Sequence, residues 1–193
     1  MKKLALTGLL LATFLTYSCE TPERRGDTAS TQEQQENGTA MSDDDRDFLQ
    51  EAAKRNLYDL ELARLAQERA VTEDVKQFAQ NILNEHGKVQ EELKQFAQQR
   101  NVMLPDSIDS DQRNNLSDLA QKEGFEFDTE FMDKMVERHN ETLDRFESKA
   151  EDAEDPQLRE WAQNTVPTLR NHKHEAENVE AVVERKKEAQ QES

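Results

Sequence analysis

The sequence predicts an all-α protein built as a four-helix bundle with one short extra helix. Only five glycines and four prolines occur in 193 residues, so the chain has few turns and its helices should be long. Apolar residues recur at spacings of three and four over four long segments, the pattern of helices that bury one face. The hydrophobic content of 34% is low, but it is concentrated in these segments.

The connections predict how the helices are arranged. Short links join the first helix to the second and the fourth to the fifth, so each pair is expected to form an antiparallel hairpin. About 25 residues separate the two pairs, enough to run the length of a bundle roughly 40 Å long. A simple return would need only a few residues. The sequence therefore predicts a ferritin-like bundle whose long crossover contains the short helix.

Capping side chains indicate where the first two long helices begin. Ser42 is a favourable N-cap, and the three aspartates that follow it suit the positive end of a helix dipole. The first helix is predicted to continue to about residue 70. Thr72 is the expected cap of the second helix, predicted over residues 73–100.

The second half of the chain contains the other three helices. A loop with Pro105 precedes a short helix predicted over residues 111–122, and the fourth helix is expected over 126–152. Asp155 and Pro156 have the sequence of a cap and a first-turn proline at the start of the fifth helix. The fifth helix is expected to fray after Glu184. The bundle would then cover residues 42–185, followed by a charged tail over 186–193.

Three of the four histidines fall on the apolar faces of three different predicted helices, each near the midpoint. His86 lies on the second helix, His139 on the fourth and His172 on the fifth. Helices of similar length packed side by side bring their midpoints to one level, so the three imidazoles are expected to meet in one layer of the core. His174 is about 200° around the helix from His172 and is expected to face outward.

The first helix adds a carboxylate at the same level. Asp59 lies near mid-helix on a face lined mainly by alanines. Three neutral imidazoles and one carboxylate are a suitable ligand set for Zn²⁺, Fe²⁺ or Mn²⁺, and Met135, one turn before His139, would add a thioether for copper. The predicted metal site is His86, His139, His172 and Asp59.

A metal-free core is the alternative interpretation of the histidines. They would then be neutral and hydrogen-bonded to Asp59, Asn56, Thr165 or the carbonyl left free by Pro167. An enzyme is the third and least favoured reading, because the helices contain no Glu-x-x-His motif and the chain has no nucleophile elbow. The net charge of −17 argues against a nucleic-acid partner, which would require a basic surface.

The N-terminus has the features of an export signal. Two lysines precede a hydrophobic stretch over residues 4–15 that is too short to span a bilayer. Ser18 is followed by Cys19, the only cysteine in the chain, and the segment 16–19 resembles the lipobox of bacterial lipoproteins. This resemblance implies a signal peptide over 1–18 and lipidation of Cys19. Ordinary signal cleavage that leaves a free thiol is the alternative.

Residues 19–41 are predicted to form the lipidated end and a flexible tether. The segment is rich in Thr, Gln, Glu, Ser and Gly and contains almost no apolar residue, so it cannot bury enough surface to offset the entropy lost on ordering. The membrane, reached through the lipid, is therefore the first expected partner.

Short segments spread over residues 43–183 resemble those of a bacterial family, domain of unknown function 4142, whose members are often labelled "predicted outer membrane protein". The matching segments are Phe48-Leu49 with Ala52-Ala53, residues 59–66, residues 75–79 with Glu85-His86, Phe127-Asp128, Met135-Val136 with His139, and residues 166–169 with His172. The resemblance implies a ferritin-like bundle and a location in the cell envelope, at the outer membrane on its periplasmic side or surface. It implies no particular activity.

Overall fold

A computed structural model describes residues 41–192, and every regular element in that range is a helix. The helices are α1 (Asp43–Arg69), α2 (Glu73–Gln99), α3 (Ser110–Ala120), α4 (Gly124–Asp152) and α5 (Pro156–Gln191). The all-α prediction is confirmed. None of these five helices is long and apolar enough to cross a bilayer. The predicted signal peptide, Cys19 and all of the tether except Met41 lie outside the described residues.

The predicted caps are present. The Ser42 hydroxyl accepts a hydrogen bond from the backbone N–H of Asp45, and the Thr72 hydroxyl accepts one from Val75. Asp155 accepts the first free N–H groups of α5, and Pro156 occupies the first turn. These side chains satisfy donors that have no partner within the helix, which is why the helices begin there.

The boundaries of α1 to α4 lie within two residues of the prediction, whereas the end of α5 differs by more. The capping box of Asp109 and Gln112 starts α3 at Ser110. The α5 helix does not fray near Glu184 but continues to Gln191, so the predicted end was wrong. The apolar pattern stops at Val183, yet Lys186 forms an ion pair with Asp74 at the start of α2. The part of α5 beyond the apolar pattern therefore contacts α2 through charged side chains instead of apolar ones.

Contacts at the two ends of the bundle define its topology. At the end where α1 begins, called here the lower end, Lys149 of α4 bonds to Asp45 of α1. Arg100, just after α2, bonds there to Asp155, just before α5. Both α2 and α4 therefore finish at the lower end, and both α1 and α5 begin there.

The upper end confirms the long crossover. The backbone N–H groups of Val71 and Thr72, which join α1 to α2, donate to the carboxylate of Asp128 in the first turns of α4. The chain thus leaves α2 at the lower end and enters α4 at the upper end, so residues 100–123 run the full length of the bundle. This is the connection that the sequence predicted.

The core consists of two hydrophobic clusters. The upper cluster contains large side chains such as Phe78, Phe131 and Met135. The lower cluster contains Leu93 and Phe146 among others, together with Met41, which the sequence had assigned to the tether. The three helices that carry the histidines each pass from one cluster to the other, and the histidines lie at the change.

Candidate metal centre

The three core histidines form one layer between the two hydrophobic clusters. On α2, His86 lies one turn below Ile82; on α4, His139 lies one turn below Met135. On α5, His172 lies between Leu169 of the lower cluster and Ala176 of the upper cluster. Side chains one turn apart share a helix face, so apolar packing on both sides directs each imidazole inward.

The layer is compact and buried. The ring centroid of His86 is 5.5 Å from that of His139 and 5.4 Å from that of His172, and the remaining pair is 5.7 Å apart. No more than 5% of any of the three residues is exposed. Each of the three residues has one ring nitrogen in this group, and these three nitrogens all lie within 4.8 Å of one another. The prediction that the three imidazoles meet in one layer is confirmed.

Two of the histidines have a hydrogen bond that fixes their tautomer. His139 Nδ1–H donates to the carbonyl oxygen of Met135 at 2.7 Å, and His172 Nε2–H donates to Glu85 Oε2 at 2.5 Å. In a neutral ring the other nitrogen then carries a lone pair. These nitrogens, His139 Nε2 and His172 Nδ1, are buried and have no hydrogen-bond partner.

His86 has the third unpartnered nitrogen. Its Nδ1 is buried without a hydrogen bond, and the nearest carboxylate oxygen, Asp59 Oδ2, is 3.7 Å away. That separation is too long for a hydrogen bond. Each of the three imidazoles therefore brings one uncommitted nitrogen to the same buried layer.

Burial keeps the rings of His86 and His139 neutral. It lowers the pKa of His86 to about 3, against the attraction of Asp59 and with the repulsion of the two other histidines. Burial also lowers the pKa of His139, although Asp59 and the Met135 carbonyl act in the opposite direction. Both rings are uncharged at neutral pH, the form in which an imidazole binds a metal.

Asp59 is buried beside the layer but is bound to another partner. Burial raises the pKa of Asp59, but the combined effect of Arg138, His86 and His139 is larger and opposite. The pKa of the carboxyl group is therefore below its usual value. Arg138 Nε donates to Asp59 Oδ1 at 2.5 Å, and the same guanidinium donates to the carbonyl oxygen of Arg55. The three histidines form a ligand group without Asp59. Asp59 as a fourth ligand stays a prediction.

Asn56 and Thr165, two of the hydrogen-bond partners expected for a metal-free core, are occupied elsewhere. Asn56 donates to the backbone carbonyl of His86 and to the side chain of Gln90. Thr165 donates to the carbonyl oxygen of Trp161, one turn earlier in its own helix. None of these bonds reaches the free imidazole nitrogens.

Sequence reasoning did not identify the outer partners of the site. Glu85 was recognised only as part of the Glu85-His86 segment, and Arg138 was not singled out. A carboxylate predicted to be buried, such as Asp59, is often paired with a cation, so the arginine next to His139 was the available signal. Nothing in the sequence spacing indicates that Glu85, which precedes one histidine, bonds to another on a different helix.

His174 differs from the three core histidines. Its side chain is 72% exposed and lies 3.3 Å from Glu177 on the same helix. The predicted outward orientation is confirmed, and this residue is a natural control for the buried layer.

The geometry suits a single ion that draws the rings together slightly. Two nitrogens bound to one tetrahedral Zn²⁺ at about 2.0–2.1 Å stand about 3.3 Å apart. The observed limit of 4.8 Å would thus require ring shifts on the order of 1 Å. The three buried histidines can hold a metal.

Comparison with known proteins places the chain in a family. The family model for domain of unknown function 4142 (DUF4142) matches residues 30–179. The chain belongs to this family. No curated protein matches the sequence.

One solved structure similar to the bundle is the crystal structure of a DUF305 fragment from Deinococcus radiodurans. Its TM-score is 0.64 at 16% sequence identity, and the match covers 75% of this chain and 98% of that one. An identity this low shows a shared fold. It supports the helical bundle and says nothing about a shared activity.

Proposed function

We propose that the protein is a lipid-anchored component of the bacterial cell envelope whose core binds one divalent transition-metal ion through His86, His139 and His172. The observation that carries the metal proposal is the set of three buried, unpartnered imidazole nitrogens in one layer. Buried polar atoms are normally hydrogen-bonded, and each one left without a partner costs about 1–3 kcal/mol. A single ion would satisfy all three.

The ligand chemistry narrows the choice of ion. Imidazole nitrogen suits Zn²⁺, Fe²⁺ and copper better than Mg²⁺ or Ca²⁺, which prefer oxygen. The bonds from His139 to the Met135 carbonyl and from His172 to Glu85 are of the kind that orient metal-binding histidines. Mn²⁺ remains a candidate if Asp59 adds its carboxylate.

Metal binding is tested with the full chain carrying Cys19→Ser, which removes the only thiol. Zn²⁺ is added, unbound ion is removed, and metal per chain is measured by mass spectrometry. One ion per chain is expected, and a bound ion should raise the melting temperature by mass action.

The three single substitutions His86→Ala, His139→Ala and His172→Ala should each remove most of the bound Zn²⁺, while His174→Ala should leave it unchanged. A folded protein that binds no transition metal at neutral pH, or binds it equally well in all four variants, would overturn the metal proposal. The remaining function would then be a metal-free structural or stress-related interaction module of the envelope.

The proposed lipid anchor rests on the sequence of residues 1–19. Cys19 is the only cysteine and follows a short hydrophobic signal segment. Cys19→Ser should abolish labelling by fatty acid and partitioning into detergent while the helical content of the bundle stays the same. A mutant that still fractionates with membranes after a high-salt wash would contradict an anchor at this position.

A further inference from the structure

A small cavity lies between the histidine layer and α1. Its volume is about 30 Å³, and His86, His172 and Asp59 form part of its wall. The rest of the wall combines five apolar residues with five polar or charged ones: Ala52, Val89, Leu93, Phe146 and Leu169, and Arg55, Asn56, Thr142, Thr165 and Thr168. The cavity therefore adjoins two of the three proposed metal ligands on the lower side of the layer.

The upper side of the layer is filled. Phe78 is 1% exposed, and its ring centroid is 6.4 Å from that of His139. Ile82 and Met135, one turn above His86 and His139, are completely buried. Since α2, α4 and α5 supply the three imidazoles, the side that a bound ion would leave open faces α1 and the cavity.

We propose that this cavity binds an exogenous ligand of the metal: a monovalent anion of two or three heavy atoms. The inference rests on the proposed metal site and names what completes it. Metal sites with three protein ligands keep a further position for water or another small molecule. A cavity needs about 10–15 Å³ to hold one water molecule, so about 30 Å³ admits a diatomic or linear triatomic ligand.

The charges around the site indicate an anion. A divalent ion held by three neutral imidazoles retains both positive charges. Glu85, bonded to His172, offsets one of them. Asp59 is already paired with Arg138, so it does not offset the other. One positive charge remains in a buried site, where an unpaired charge is costly, and a monovalent anion removes that cost.

The probes are azide and imidazole. Both bind to an accessible metal ion, but azide has three atoms in a line and imidazole has a five-membered ring. The full chain with Cys19→Ser is loaded with Co²⁺, whose visible spectrum reports its coordination. Azide should change this spectrum in a saturable way, and imidazole at the same concentration should leave it unchanged.

Ala52→Leu tests the location, because it places three additional carbon atoms in the cavity wall. It should still bind one Co²⁺ per chain, and its affinity for azide should fall by about tenfold or more because the space is filled. Ala52→Val is the milder variant if the leucine impairs folding. Gly87→Ala is the matched control, since a methyl group there meets nothing within 4 Å although it adjoins His86.

The outcomes separate the two proposals. If the protein binds no Co²⁺, both the metal site and the anion site are overturned. If one Co²⁺ binds but azide leaves its spectrum unchanged, only the anion site is overturned. The anion site is also overturned if imidazole changes the Co²⁺ spectrum as strongly as azide does. It is likewise overturned if a folded Ala52 variant retains the full affinity for azide.

Discussion

The ends of the bundle and its middle layer both bury polar side chains, but they satisfy them differently. Asp128 at the upper end is completely buried, and each of its oxygens accepts a backbone N–H, from Val71 at 3.0 Å and from Thr72 at 2.8 Å. Asp45 at the lower end likewise uses both oxygens, one for Lys149 and one for the N–H of Asp155. Each histidine of the middle layer leaves one buried nitrogen without a partner.

The difference indicates that the polar groups at the ends and those in the middle layer have different roles. The carboxylates at the ends hold helix termini and loops in place, and each of their oxygens accepts a hydrogen bond. The histidine layer instead leaves three buried nitrogens without a partner. Because the same core provides a donor for every oxygen of Asp45 and Asp128, the unpartnered imidazole nitrogens favour a bound ligand.

The largest expected effect is at the upper end. Asp128→Ala removes the acceptor of two backbone N–H groups at a completely buried position, so it should lower the free energy of unfolding by about 2–4 kcal/mol. Chemical denaturation with circular dichroism measures this loss. Zn²⁺ stoichiometry should stay unchanged at a temperature where the variant is folded. A loss below about 0.5 kcal/mol would show that Asp128 does not hold the end as described.

The next largest expected effect is a loss of affinity for Zn²⁺ at the histidine layer. Glu85→Ala removes the carboxylate that orients His172, and loss of such a partner typically weakens metal binding by about 10–100-fold. Isothermal titration with Zn²⁺ measures the change. Glu91→Ala, on the same helix and paired with exposed Lys94, is the matched control and should have no effect. Equal affinities for Zn²⁺ in the two variants would show that Glu85 does not support metal binding.

The metal-free protein should lose stability as the pH falls from 6.5 toward 5. The unfolded chain takes up protons on its histidines near pH 6.5, whereas His86 in the fold, with its pKa lowered by burial to about 3, does not. Each histidine that stays neutral in the folded protein lowers the free energy of unfolding by about 1.4 kcal/mol per pH unit in this range. The ordinary carboxyl pKa values, 3.8 and 4.5, lie below the window.

Denaturation at pH 7, 6 and 5 in the presence of a chelator measures that slope. His86→Gln should reduce this slope by one histidine's share. A slope that is the same in the wild type and in His86→Gln would mean that His86 takes up its proton in the folded protein.

The smallest expected effect is a gain in the free energy of unfolding. Gly87 lies inside α2, and a methyl group added there meets nothing within 4 Å. Gly87→Ala should therefore stabilise the protein by about 0.5–1 kcal/mol, because alanine loses less backbone entropy in a helix than glycine. The increment should be equal with and without Zn²⁺. A larger increment in the presence of metal would couple this position to the histidine layer.

Most of the fold was predictable because helices of this kind are specified locally. Ser42, Thr72 and Asp155 cap the helices that the apolar spacing defines, and the length of the crossover specifies the topology. The end of α5 was not predictable in this way, since the ion pair between Lys186 and Asp74 depends on a contact between distant segments.

The site was predictable only in part, for the same reason. His86, His139 and His172 could be assigned to one layer from their faces and heights alone. The tautomers depend on the Met135 carbonyl and on Glu85, and the state of Asp59 depends on Arg138. These partners come from particular rotamers and contacts across helices, which periodicity does not describe.

The most direct test of the central claim is a crystal structure of the protein grown with Zn²⁺, with anomalous diffraction recorded at the zinc absorption edge. We expect one strong anomalous peak in the core, about 2.0–2.1 Å from one nitrogen each of His86, His139 and His172. An ordered crystal with no peak in that layer, or with peaks only at surface carboxylates and at His174, would contradict it.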